Sequence, residues 1–168
     1  FFTSNHDENT WNGTEFEKYG SLSKPLAVFG ATFNGIPLMY SGQELPLHKR
    51  LPFFDKDHIE WREQPELHEF YKTLLHLRKQ HAALQAGTAA KPAILPISAH
   101  IPVMAFHRKN GGSEVLVILN FSGNDATIQL PADKVTGKFT NAFTGEQVSI
   151  NNSWSVSLIG YDYKVFAK

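Results

Sequence analysis

The sequence predicts an α/β segment followed by an all-β antiparallel sandwich, and three observations predict it. Residues 1–40 run from a short apolar stretch through a helix-like stretch to a second apolar run. Residues 65–81 carry apolar side chains at three- and four-residue spacing, the period of one helix face. Beyond residue 92, short apolar runs recur with turn residues between them, the pattern of strands in a sandwich.

Residues 1–4 are apolar and give way at once to Asn5-His6-Asp7-Glu8-Asn9, as a strand running into a loop would. Residues 14–19 suit one or two helical turns. Residues 21–33 place Leu22, Leu26, Val28, Phe29 and Phe33 on a helix that Asn34-Gly35 would stop. Residues 36–40 form a short apolar run between Gly35 and Gly42, as a buried parallel strand does. Strand, crossover helix and strand make one βαβ unit. A long loop over 41–63 carries Pro46, Pro52, Phe53, Phe54 and Trp61.

The helix over 65–81 is expected to start with Pro65 at its first position, where the missing N–H costs nothing. Leu67, Phe70, Tyr71, Leu74, Leu75 and Arg78 form its stripe, and its three histidines (68, 76 and 81) read as surface positions. Eight strands are expected after it, over 93–99, 103–108, 114–121, 126–130, 137–143, 147–150, 154–159 and 161–167. Asn110-Gly111 marks a hairpin, and Val115–Leu119, apolar on both faces, marks a central strand. The compositional change near 86–91 divides the chain into 1–86 and 87–168.

Composition narrows the function classes. In 168 residues, 16 Lys+Arg balance 16 Asp+Glu, so charge gives no reason to expect a nucleic-acid partner or an anionic lipid surface. Hydrophobic residues at 42% and charged at 19% supply material for a core. No apolar run is long enough for a transmembrane helix, so no membrane partner is expected. Without cysteine, disulfides and thiolate chemistry are out of reach. The eight histidines do not cluster at metal-ligand spacing, so no metal site is expected, and no oxygen-rich loop has calcium-binding spacing. The chain opens on Phe1-Phe2 rather than Met, as a piece of a longer protein would.

The opening Phe-Phe-Thr-Ser-Asn-His-Asp and the later Gly-Ile-Pro-Leu-Met-Tyr-Ser-Gly-Gln-Glu resemble the α-amylase family, glycoside hydrolase family 13. Residues 53–61, the helix over 71–84 and the segments at 105–108, 115–122 and 141–146 resemble later parts of the same family, in order. The resemblance implies the last two strands and helices of a (β/α)8 TIM barrel over 1–86, then a C-terminal Greek-key β sandwich over 87–168. It implies a retaining glycosidase acting on α-1,4-glucosidic bonds of starch or maltooligosaccharides, with Asp7 stabilising the transition state and His6 contacting the same sugar. Asn5 would hold the loop by side-chain-to-backbone bonds, with substrate contact a second possibility. Trp11 could stack on a glucose ring or cover the barrel rim. Glu8 and Glu15 are poor candidates for acid or nucleophile, and Gln43 and Glu44 read as scaffold.

The family's nucleophilic Asp and acid Glu belong to strands four and five, regions outside these residues, so this chain alone is expected to be inactive. Two strands cannot close an eight-stranded barrel. The rest of the barrel is therefore an expected partner, with self-association through the open apolar face as the alternative fate. Calcium, which many family members bind, would have its ligands elsewhere. Starch breakdown favours a secreted or periplasmic parent. Two other readings stay open: an α-glucan transferase, or a non-catalytic carbohydrate-binding or packing module that uses Trp154, Tyr161 and Tyr163.

Overall fold

The computed structural model describes residues 1–87, 90–131, 133–152 and 154–168; part of the expected junction near 86–91 lies outside them. The helical elements are α1 (Glu15–Tyr19), α2 (Ser23–Thr32) and α3 (His68–Gln80), joined by short 3-10 turns at Gly20–Leu22 and Ala82–Leu84. Thr14 caps α1 through a capping box: its hydroxyl accepts from the Glu17 amide while the Glu17 carboxylate accepts from the Thr14 amide. Helix α3 begins three residues later than Pro65. The Leu67 amide is drawn to the Glu44 carbonyl at 2.8 Å, which fixes Leu67 outside helical geometry.

The two expected parallel strands are not regular strands. Residues 1–4 and 36–40 meet at one rung, where the Phe1 amino group donates to the Ile36 carbonyl (2.9 Å) and the Leu38 amide donates to the Phe1 carbonyl (2.8 Å). Both bonds bracket Pro37, the parallel pattern, but two short segments paired only with each other do not propagate a ladder. Phe1, Phe2, Ile36, Leu38 and Leu75 leave an exposed apolar face beside this rung. Leu75 thus departs from the buried stripe of α3, while Leu67, Tyr71, Leu74 and Leu77 are buried.

All eight expected sandwich strands form: β1 (Ala93–Leu95), β2 (Val103–Asn110), β3 (Ser113–Asn120), β4 (Ala126–Gln129), β5 (Gly137–Asn141), β6 (Gln147–Ile150), β7 (Ser155–Leu158) and β8 (Tyr163–Ala167). Strand β1 is shorter than expected, because Pro96 lacks the N–H to continue the ladder. Six strands form one sheet in the order β1-β2-β3-β8-β5-β6, and β4 pairs with β7 in a second. Every pairing is antiparallel. The hairpin at Asn110-Gly111 turns between Asn110 and Ser113, with Gly111 at φ 58°.

Strand β3 explains its own apolar run. Val115, Val117 and Leu119 face α2, α3 and the Ala82–Leu84 turn, whereas Leu116 and Ile118 face Ile128 and Leu158 of the second sheet. Both faces are therefore dry. One buried cluster joins Val28, Leu74, Leu77 and Leu84 to Phe106, Val117 and Val165, so the helices cover the sheet directly.

Candidate functional site

Asn5 starts the candidate site as a cap. Its side-chain oxygen accepts from the Glu8 amide at 2.8 Å and its carbonyl accepts from the Asn9 amide at 2.9 Å. Residues 6 and 7 are helical and run into a π-helical turn at Glu8–Asn12, a rare geometry found frequently at functional sites. The turn ends at Gly13, whose φ of 113° is one that side-chain-bearing residues rarely adopt, and an added Cβ would stand only 3.1 Å from Arg50 Nη2. His6 and Asp7 are left facing solvent, with His6 Nε2 3.6 Å from Asp7 Oδ2.

A buried amide ties this turn to the long loop. Asn9 accepts from the Leu51 amide at 2.6 Å and donates to the Lys49 carbonyl at 3.2 Å. Thr10 donates to the Leu51 carbonyl at 2.6 Å. Arg50 grips Glu17 through two nitrogens at 3.0 and 3.1 Å. That guanidinium, helped by the Thr14 amide, holds the Glu17 carboxyl down at about 2.

The clamp delivers Phe53 between two rings of the turn. Its centroid lies 5.8 Å from His6 and 5.7 Å from Trp11, tilted by 33° and 34°. Phe54 packs edge-on against Phe53 at 4.8 Å. Trp11 is 60% exposed, Phe53 40% and Phe54 84%. The structure thus brings His6, Asp7 and Trp11 to one open surface and places Asn5 behind them as a brace. Sequence reasoning missed Phe53, Phe54 and Asn9. The available signal was two adjacent phenylalanines in a polar loop with no strand or helix period to bury them.

The remaining carboxylates are occupied elsewhere. Glu8 accepts from Lys18 and Asn12, both at 3.0 Å, and the lysine lowers its pKa. Glu15 is buried in a network centred on Gln43, whose amide nitrogen lies within 3.1 Å of Thr3, Glu15 and Tyr71. Gln43 Oε1 accepts from the Tyr40 amide, so the expected scaffold residue is the hub of that network. Burial raises the Glu15 pKa, and its second oxygen has no hydrogen-bond partner. Among the described residues, no group of three His, Asp or Glu could hold a metal ion.

A carboxyl raised on folding stabilises the protein below its unfolded pKa and loses that contribution as pH rises through the folded value. Stability supplied by Glu15 is therefore expected to fall from about pH 4.5 upward. Glu15→Gln should flatten that part of a melting-temperature profile, raising stability at neutral pH relative to the parent. An identical slope in parent and variant would count against it.

Comparisons with known proteins follow the same chain. Residues 103–162 match the family model described as "Alpha-amylase SusG C-terminal domain". A cyclomaltodextrinase of Geobacillus thermopakistaniensis is 29% identical over 152 residues, covering 86% of this chain and 25% of that protein. A beta/alpha-amylase of Paenibacillus polymyxa is 26% identical over 178 residues, covering 99% of this chain and 14% of its own length. The structure of a maltogenic α-amylase from Thermotoga neapolitana matches with a TM-score of 0.76 at 19% identity, over 99% of this chain and 40% of that one; this likeness concerns the fold. The chain spans about a quarter or less of the length of these curated relatives.

Proposed function

Because this chain corresponds to the C-terminal portion of α-amylase-family (glycoside hydrolase family 13) enzymes, we propose that it supplies one wall of a retaining glycosidase site for α-1,4-glucans. Residues 1–86 would be the end of a (β/α)8 barrel and residues 87–168 its C-terminal β domain. The observation that carries the reading is the exposed Asp7, presented beside three exposed aromatic rings just after a segment that meets its neighbour in the parallel pattern. Barrel enzymes carry their chemistry at that end of their strands.

Double displacement needs a nucleophile and an acid about 5–5.5 Å apart, and both would come from outside these residues. Asp7 acts differently. An ionised carboxylate only accepts hydrogen bonds, so it binds sugar hydroxyls more tightly as positive charge gathers on the ring. His6 adds a ring nitrogen that contacts the same sugar, and Trp11 offers its flat face to the sugar's C–H groups. Two of the aromatic candidates of the sandwich serve packing instead, Trp154 at 5.5 Å from Phe166 and Tyr163 at 5.0 Å from Phe143, while Tyr161 stays exposed.

The test uses the full-length protein that carries this segment. It should release α-configured maltooligosaccharides from maltoheptaose, read by proton NMR before mutarotation, and β-configured products would overturn the retaining reading. The 168-residue chain alone should release no reducing sugar and should self-associate in light scattering through Phe1, Phe2, Ile36 and Leu38. Measurable hydrolysis by that chain would overturn the assignment of both missing carboxylates to other residues.

A further inference from the structure

Phe53 lies on no expected element and has no assigned role, yet the fold spends a buried amide and a bidentate ion pair on placing it. The Asn9 clamp fixes residues 49–51, and Arg50 is held by Glu17, so Phe53 and Phe54, one proline further on, are aimed by their neighbours. They are aimed outward. Two benzyl side chains stand side by side with much of their apolar surface in water. Their rings continue those of His6 and Trp11 into one exposed aromatic surface flanked by the Asp7 carboxylate.

The chemistry of that surface selects its occupant. Flat apolar rings bordered by an acceptor and an imidazole match a pyranose, which has C–H faces and a rim of hydroxyls. The two cations that lead into Phe53 are already paired, Lys49 with Asp57 and Arg50 with Glu17.

We propose that Phe53 is a sugar-contacting residue, which with Trp11 and Phe54 forms an aromatic platform that holds an α-glucan chain beside Asp7. This inference rests on the reading of Asp7 given above. It predicts that loop 41–63, through Phe53, sets affinity for longer chains without taking part in bond cleavage.

The experiment compares Phe53→Ala, Phe53→Leu and Phe53→Tyr in the full-length enzyme on maltoheptaose. Alanine should raise KM about tenfold and leave kcat within about twofold, as loss of a binding contact shared by ground and transition states does. Leucine keeps an apolar contact with Trp11 and His6 but has no flat face, so it should behave like alanine. Tyrosine should restore KM. An unchanged KM in both alanine and leucine variants overturns the proposal, as does a loss confined to kcat, which would make Phe53 a brace for His6 and Asp7. Asp7→Asn, run in parallel, separates the two readings. If it abolishes turnover while the Phe53 variants match the parent, only the platform fails; if it leaves kcat intact, the site itself is misassigned.

Discussion

Asp7→Asn in the full-length enzyme is expected to lower kcat on maltooligosaccharides by about 10²–10³-fold, the loss seen when one preorganised group facing developing charge is removed. The side chain is 59% exposed, makes no capping bond and has only His6 nearby, so the fold does not depend on it. Asparagine keeps the size but is neutral, and it replaces one acceptor oxygen with a donor. On the proposed role of Asp7, KM should change far less than kcat, because a bond to the sugar hydroxyls that strengthens as an oxocarbenium-like transition state forms is lost mainly from that state. Stability should stay within the roughly 0.5 kcal/mol usual for surface substitutions, leaving the melting temperature nearly unchanged. Steady-state kinetics with a thermal melt checks both halves. A kcat within about threefold of the parent would remove Asp7 from the chemistry, and a large drop in melting temperature would make its effect structural.

Arg108→Met is expected to be the most destabilising substitution of similar volume in the chain. Arg108 is 1% exposed and lies on β2, where it donates to the Ala90 carbonyl at 3.0 and 2.6 Å and to the Thr32 carbonyl at 3.4 Å. Thr32 ends α2, whose last carbonyls have no partner within the helix, and Arg78 of α3 covers another at Ala31 (2.7 Å) together with the Gly35 carbonyl in the turn beyond (2.8 Å). Among the described residues no carboxylate pairs with Arg108. Burial and the neighbouring Arg78 lower its pKa. Methionine fills much of the space but leaves buried carbonyls without donors, at a cost of about 3 kcal/mol or more. For a chain of this size that is a fall of about 6–12 °C in melting temperature. Because one core joins the helices to the sheet, unfolding should remain a single transition. A shift under about 2 °C would mean that the guanidinium contributes nothing net, and two separated transitions would mean that helices and sheet unfold independently.

Legibility in the sequence followed the range of the interactions. The sandwich strands and the two longer helices were legible because a two-residue or 3.6-residue period is written into neighbouring side chains. The doubly apolar β3 was legible as central for the same reason. The segments at 1–7 and 35–44 carried the resemblance and with it the expectation for Asp7 and His6, while Trp11 was singled out as an aromatic in the polar loop that follows. Regular strands at 1–4 and 36–40 were the failure: local apolarity promised them, but a parallel ladder needs neighbours that these residues do not supply, and one rung remains.

What the sequence by itself determined is the two-part class of chain and the positions of its eight sandwich strands, since both rest on patterns within a few residues, and it singled out Asp7 as the candidate carboxylate. Only the tertiary structure decided which loop stands beside that carboxylate. Asn9 bonds to residues 40 and 42 positions away, and Phe53 reaches His6 and Trp11 across a comparably long stretch of chain. No local period encodes such a contact. It arises when a buried amide must satisfy its hydrogen bonds and finds the partners only where the folded chain has brought another backbone alongside.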